Sequence, residues 1–184
     1  FQVGYDATTH LIDLGHRPIG LISGEPNHPL AFSVPVIRLA GYTAALAEHG
    51  ILDDPSLEQS GRFTAAGGRQ PMEHLLALEA PPTAVFAISD EMAFGAWRAI
   101  VDAGLSWPDD VAVVGVDDHE LAKMVDLSTI RLAPGRLGRV AARRLLTLVD
   151  GASTVDDANL GLERIEVVAR SSTVGTDRAG DRAV

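Results

Sequence analysis

Residues 84–118 constrain the fold of this chain more than any other segment, because they predict a strand, a helix and a second strand in succession. Apolar runs at 84–88 and 111–116 are typical of short buried strands. Two parallel strands joined through a helix form a right-handed crossover. Each strand is followed at once by acidic residues, so Asp90 and Asp117 are predicted to share one edge of the sheet, where open parallel sheets bind ligands.

The same alternation of strand and helix continues on both sides of this unit, with glycine or proline at most of the boundaries. It predicts an α/β fold with a parallel sheet flanked by helices. Helices are predicted at 5–14, 34–49, 64–79, 91–103 and 135–150, further strands at 19–22, 57–60, 128–132 and 165–169, and a polar tail from residue 175 onward.

The composition excludes several classes of protein. With 184 residues, 46% of them hydrophobic, the chain can bury a sizeable core, and the absence of cysteine suits a reducing compartment. A net charge of -10 argues against direct contact of this segment with nucleic acid, which binds through lysine and arginine. No apolar run approaches the roughly 20 residues of a membrane helix, and no export leader is seen at the start.

Four places just past predicted strand ends, or in the loop or helix that follows, carry side chains suited to binding a small ligand. They are Arg38, Phe63, the pair Ser89 and Asp90, and Asp117. A guanidinium donates paired hydrogen bonds, a carboxylate accepts them, and a ring covers the apolar face of a sugar. Considered singly, each residue also has a purely structural interpretation. Arg38 could be an exposed or ion-paired surface residue, Phe63 a core residue and Asp90 a helix cap. Asp117 is equally suited to capping the next helical turn and to binding a ligand.

Motifs for catalysis, cofactors and metals are missing. The sequence has neither a phosphate-binding P-loop nor G-x-G-x-x-G at the start of a helix, so no cofactor is predicted. Its histidines form no HExxH pattern, and its serines occur in no G-x-S-x-G turn, so neither a metal nor a catalytic residue is predicted. An enzyme holding Mg²⁺ between Asp90, Asp117 and Asp118 is an alternative that lacks a phosphate-binding loop.

The predicted helix at 91–103 is apolar on nearly all sides. Met92, Phe94 and Trp97 cannot share one helical face, so a single sheet cannot cover them all. We predict that these three residues contribute to the interface of a homodimer. The alternative is that a neighbouring helix of the same chain covers them.

Ordered motifs over residues 5–174 resemble the effector-binding domain of the lactose-repressor family of bacterial transcription regulators. They read HLIDLGHRPIGLISG, RLAGYTAALAEHGI, GRFTAAGG, PTAVFAISDEMAFGAWRAIVDAGL, PDDVAVVGVDDHELA, LSTIRLAPGRLGRVAARRLL and VVARSST. The resemblance implies a type I periplasmic-binding-protein-like fold, built from two Rossmann-like subdomains that close on a small molecule.

The resemblance also implies a division of the chain between the two subdomains. The carboxyl-terminal subdomain would hold most of the chain, and the rest of the amino-terminal subdomain, with a DNA-binding head, would lie upstream. The expected boundaries are helices of the amino-terminal subdomain at 1–16 and 133–150, the carboxyl-terminal subdomain at 17–130 with a return at 151–174, and a flexible tail at 175–184.

By the same resemblance, Arg38 and Asp117 would hold a sugar or purine effector while Phe63 stacks on it, with Ser89 and Asp90 beside them. Ser89 stands where the family usually has asparagine, and Leu132 replaces a frequent polar residue; both departures argue for an effector that is less polar than the usual sugar or of a different size. The implied protein is a cytoplasmic homodimer that binds a carbohydrate-like effector and contacts operator DNA through the head. The alternative is the solute-binding component of a sugar transporter, which shares the fold.

Overall fold

The structure is a computed structural model that describes residues 1–25, 33–149 and 165–175. Within these ranges, strands and helices alternate for most of the chain, as the sequence predicts. The strands are β1 (Ile19–Gly24), β2 (Glu58–Gly61), β3 (Ala84–Ala87), β4 (Ala112–Val116), β5 (Ser128–Arg131) and β6 (Glu166–Val168). The helices are α1 (Gln2–Asp13), α2 (Val34–Glu48), α3 (Ala65–Leu76), α4 (Asp90–Asp102), α5 (Glu120–Met124), α6 (Pro134–Val149) and α7 (Ser171–Val174).

The strands form one sheet in the order β2-β1-β3-β4-β5-β6. The first five strands are mutually parallel, which confirms the predicted α/β class. Strand β6 pairs with β5 in the antiparallel direction, with Thr129 opposite Val168. The sequence predicts a strand here but not its direction, because an apolar run of a few residues is the same in both orientations.

The central strands form the core. Every residue of β3 and β4 is buried, and the large side chains of Leu21, Ile22 and Phe86 are fully enclosed. Strands that are buried on both faces need helices on both sides of the sheet. Because β1 to β4 are parallel, their carboxyl ends all lie at one edge of the sheet, which is the edge predicted for ligand binding.

Helix α1 packs on α2 and on the same sheet. Its residues Ala7 and Leu11 are fully buried, and the two helices cross where Gly4 and Gly41 meet. A Cβ atom at Gly4 would lie 2.0 Å from the carbonyl oxygen of Arg38, so only glycine permits this contact. Helix α1 therefore packs against the sheet that the following strands form, and the assignment of residues 1–16 to the amino-terminal subdomain stays a prediction.

Helices α3 and α4 also cross at glycines. A Cβ atom at Gly68 would lie 2.0 Å from the Met92 carbonyl oxygen, and one at Gly95 would lie 1.8 Å from the Ala65 carbonyl oxygen. This close contact buries Met92 completely within the chain, so the neighbouring-helix alternative holds for Met92 and not the predicted interface. Phe94 and Trp97 are only partly buried, and their role at an interface stays a prediction.

Helix α6 is amphipathic, yet none of its described side chains is buried. Leu137, Leu145 and Leu146 are about 60% exposed, which is unusual for an apolar helical face. Its predicted assignment to the amino-terminal subdomain stays a prediction. The stretch 150–164 and the predicted tail beyond Gly175 lie outside the described residues, and no helix within the described ranges is long and apolar enough to cross a membrane.

Candidate ligand-binding cleft

A cleft of about 590 Å³ opens at the carboxyl ends of β1 to β4. It brings together four of the five predicted ligand-binding residues from four separate parts of the chain. Its lining consists of Glu25, Val34, Pro35, Arg38, Gly61, Arg62, Phe63, Ser89 and Asp117. Its volume falls in the range of sites for small organic ligands.

Arg38 extends from α2 and is half-buried. One of its guanidinium nitrogens donates a hydrogen bond to the carbonyl of Ile88, at the end of β3. Burial lowers the pKa of Arg38, while the negative charge of Asp117 acts in the opposite direction. The guanidinium is thus fixed at the cleft by one hydrogen bond and keeps other N–H groups for a ligand, because it carries five.

Asp117 follows β4 directly and adopts a backbone φ of 119°, outside the usual range for a residue other than glycine. Its N–H donates to the carbonyl of Ile130, 2.9 Å away on β5. Desolvation raises the pKa of its carboxyl group, and the charge of Arg38 opposes that shift. The Asp117 side chain is exposed at the cleft and can accept hydrogen bonds there.

Phe63 forms one wall of the cleft and is 39% exposed. Its ring lies over Gly24, at the end of β1, and beside Pro35, in the first turn of α2. An exposed aromatic ring that packs on Gly24 and Pro35 offers a flat apolar surface to a ligand.

Replacing Gly24 with alanine should displace this ring and weaken ligand binding about tenfold, a cost of about 1.4 kcal/mol. The added Cβ would lie 2.5 Å from Cε2 of Phe63 and 2.8 Å from Cγ of Pro35. Isothermal titration calorimetry measures the affinity. Gly20→Ala is the matched control, because its Cβ would contact Leu75 and Pro82, away from the cleft. Equal affinities for the two variants would contradict the role of the ring.

Ser89 and Asp90 are neighbours in sequence but have different environments. Ser89 lines the cleft and caps α4, its hydroxyl accepting a hydrogen bond from the N–H of Met92 at 3.3 Å. Asp90 is fully buried beneath the cleft, in contrast to the prediction that it contacts a ligand. Its carboxylate accepts from the Thr129 hydroxyl and from the N–H of His119, both at 2.7 Å, and burial raises its pKa to about 6.

The Asp118 carboxylate is also bound by other side chains of the protein and does not line the cleft. It accepts hydrogen bonds from Arg170 at 2.6 Å and from Arg131 at 2.8 Å, and these contacts lower its pKa although burial alone would raise it. The three aspartates of the Mg²⁺ alternative therefore point to different partners. Among the described residues, no group of three histidine or acidic side chains is arranged to hold a metal ion.

Two charged residues of the cleft were not predicted from the sequence. Glu25 and Arg62 form an ion pair of 2.9 Å at the rim, and both are well exposed. Each is next to a predicted feature, since Arg62 precedes Phe63 and Glu25 directly follows β1. Their positions after strands β1 and β2 are the signal that could have identified them.

A mostly parallel sheet with a polar cleft at its carboxyl edge is the architecture of periplasmic binding protein-like domains. Residues 8–173 match the family of periplasmic binding protein-like domains, and the chain belongs to this family.

The chain is similar to bacterial repressors, which confirms the resemblance to the lactose-repressor family. It is 37% identical over 171 residues to the HTH-type transcriptional repressor CytR of Escherichia coli (strain K12), a match that covers 92% of this chain and 48% of the repressor. It is 43% identical over 145 residues to the ribose operon repressor of Haemophilus influenzae, covering 78% of this chain and 42% of that protein. The chain thus spans about half the length of these relatives.

A solved structure shows the same fold. The crystal structure of a sugar-binding transcriptional regulator of the LacI family from Escherichia coli, complexed with phosphate, superposes with a TM-score of 0.81 at 31% identity. The match covers 93% of this chain and 60% of that one.

Proposed function

We propose that this chain is the effector-sensing part of a cytoplasmic bacterial transcription regulator, and that its cleft binds an uncharged, hydroxyl-rich molecule such as a sugar or nucleoside. The observation that supports the proposal best is the convergence of Arg38, Phe63 and Asp117 on one cleft from three separate segments. A guanidinium and a carboxylate bind neighbouring hydroxyl groups, and the ring covers the C–H face of a sugar or base.

The charge balance of the cleft supports a neutral ligand. Arg38 and Arg62 carry positive charge, whereas Glu25 and Asp117 carry negative charge, so the lining has no net formal charge. A strongly anionic ligand would meet two carboxylates, and a cation would meet two guanidinium groups. The names of two similar proteins, a ribose operon repressor and a sugar-binding regulator, favour a carbohydrate.

Regulation of transcription would then follow from ligand-dependent closure of the domain. A ligand that binds one closure state more tightly shifts the population toward that state and changes how an attached DNA-binding head meets its operator. The head would be a separate part of the protein, because this chain carries a net charge of -10. The relatives are repressors, which favours this role over a transporter component or an enzyme.

A thermal-shift screen of sugars, nucleosides and small organic acids tests the class of ligand. A compound that binds the native state at 100 times its Kd should stabilise it by about 2.7 kcal/mol and raise the melting temperature. We expect neutral polyhydroxylated compounds to give the shifts. Shifts produced only by charged acids would contradict the proposed ligand class.

We further propose that the protein is a homodimer whose interface includes Phe94 and Trp97. Both side chains are partly buried, Phe94 against His119 and Trp97 against Trp107, with ring centroids 6.0 Å and 5.8 Å apart. Replacing Phe94 with glutamate should give monomers, because a carboxylate buried in an apolar interface costs several kcal/mol.

Light scattering coupled to size-exclusion chromatography measures the mass of this variant. Leu52→Glu is the control, since Leu52 is 92% exposed in a loop and should leave the dimer intact. A Phe94→Glu dimer of unchanged mass would exclude this interface.

A further inference from the structure

The loop that carries Asp117 has an unusual backbone. Asp117 and Asp118 are consecutive, neither is glycine, and their φ angles are 119° and 51°. L-residues rarely adopt positive φ, and such a conformation persists only where surrounding contacts hold it. The contacts that hold this loop therefore decide where the Asp117 carboxylate points.

The strongest of these contacts is made by Arg170, at the amino-terminal end of α7. One guanidinium nitrogen donates to the Asp118 carboxylate at 2.6 Å, and a second donates to the carbonyl of Leu127 at 2.7 Å. The Arg170 and Asp118 side chains are only 13% and 9% exposed. The pair thus ties the loop after β4 to the segment that precedes β5.

Three further hydrogen bonds complete the support around the loop. The Asp118 N–H donates to the Thr129 hydroxyl at 3.2 Å, and that hydroxyl donates to the buried carboxylate of Asp90. The other oxygen of Asp90 accepts from the N–H of His119. None of these groups lines the cleft, whereas Asp117 does.

We infer that Arg170 is a positioning residue for ligand binding, which acts by holding Asp118 and thereby directing the preceding carboxylate of Asp117 into the cleft. The ligand-binding part of this inference depends on the proposed function; the effect on the loop does not.

Arg131 also contacts Asp118 but has a smaller part in this support. Its side chain is 43% exposed, and its guanidinium also forms an ion pair of 2.6 Å with the Glu166 carboxylate. Exposed ion pairs add little to stability, because water screens the charges and the side chains lose freedom. Arg170 is less exposed than Arg131 and makes two hydrogen bonds, to Asp118 and to the Leu127 carbonyl, so the loss of its side chain should release the loop.

Hydrogen exchange measured by NMR on the protein tests this inference without any ligand. The Asp117 N–H bonds to the Ile130 carbonyl, so its exchange rate reports opening of the loop. In Arg170→Met, this N–H should exchange at least about tenfold faster, while amides of β1 and β3 keep their wild-type rates, as expected for a local opening. Arg170→Lys keeps the charge but cannot reproduce the two hydrogen bonds of the planar guanidinium, and should give an intermediate exchange rate.

Two controls separate local positioning from general stabilisation. Arg131→Met should change the Asp117 exchange rate by less than about threefold. Arg69→Met removes partly exposed ion pairs with Glu73 and Asp102, on helices α3 and α4, and should not change that rate. An unchanged Asp117 rate in Arg170→Met would overturn the inference, as would equal acceleration throughout the sheet. If Arg170→Met does not fold, a folded Arg170→Lys with the wild-type rate overturns it as well.

The outcome is independent of the ligand-binding role of Asp117. If the exchange rates change as expected but Asp117→Asn binds the compound selected in the thermal-shift screen normally, the loop contact stands and the proposed site fails. If the rates do not change but Asp117→Asn loses binding, the site stands and the role of Arg170 fails.

Discussion

Replacing Asp117 with asparagine should weaken ligand binding about 100-fold while leaving the fold intact. Asparagine has the same shape and tolerates the positive φ at this position, so only the charge and one acceptor oxygen are changed. Hydrogen bonds to a charged group contribute about 1.5–3 kcal/mol, and 1.4 kcal/mol corresponds to a tenfold change in Kd. Calorimetric titration with the compound found in the screen measures the loss.

Arg38→Met should have an effect of similar size, because it removes a guanidinium that lines the same cleft and whose positive charge acts on the Asp117 carboxylate. Arg98→Met is the matched control, because it removes a guanidinium that lies outside the cleft. Its ion pair with Asp102 is partly exposed, so binding should change by less than about twofold. Full affinity in Arg38→Met or Asp117→Asn, with circular dichroism unchanged, would contradict the assignment of these residues.

Replacing Gly95 with alanine should destabilise the protein by about 2 kcal/mol or more. The added Cβ would lie 1.8 Å from the Ala65 carbonyl oxygen and 2.7 Å from the Arg69 nitrogen, so the backbones of α3 and α4 must separate. Helix propensity alone predicts the opposite sign, because alanine favours a helix over glycine by about 1 kcal/mol. Denaturant unfolding measures the change, and the melting temperature should fall by roughly 4–8 °C.

Arg98→Ala is the control for this substitution. It also places alanine in α4, but at a position where the native Arg98 side chain is 60% exposed. Within the described part of the chain, the only interaction it removes is an ion pair with Asp102 at the surface. The free energy of unfolding should then change by less than about 1 kcal/mol. A Gly95→Ala protein as stable as wild type would show that the helices do not cross as closely as described.

Much of the fold follows from the sequence because short apolar runs, helical periodicity and glycine stops recur in order. The alternation at 84–118 is the clearest case, and its two strands and helix form within two residues of the predicted bounds. The strand-end rule also predicts the edge at which Arg38, Phe63, Ser89 and Asp117 meet.

The same rule could not predict the direction of each side chain. Asp90 directly follows a residue of the cleft, but as the first residue of α4 it turns inward to Thr129 and His119. Position along a strand fixes which edge a residue occupies, whereas its partners come from distant parts of the chain. Arg170 is such a partner for Asp118, 52 residues away in sequence.

Close helix contacts were likewise missed although the sequence held a signal for them. The pair Gly67 and Gly68 lies in α3, and Gly95 lies in α4, where glycine is otherwise unfavourable. Together they let the two helices approach until Met92 is enclosed. The packing of α1 on α2 rests on a similar pair, Gly4 and Gly41, which neither apolar periodicity nor helix length indicates.

A crystal structure of the protein with the compound selected by the screen tests the central claim most directly. We expect the ligand in the cleft between β1 and β4, stacked on Phe63, with hydroxyl groups within about 3 Å of the Arg38 guanidinium and the Asp117 carboxylate. A ligand bound at another surface, or one in this cleft that touches none of these three side chains, would contradict the account.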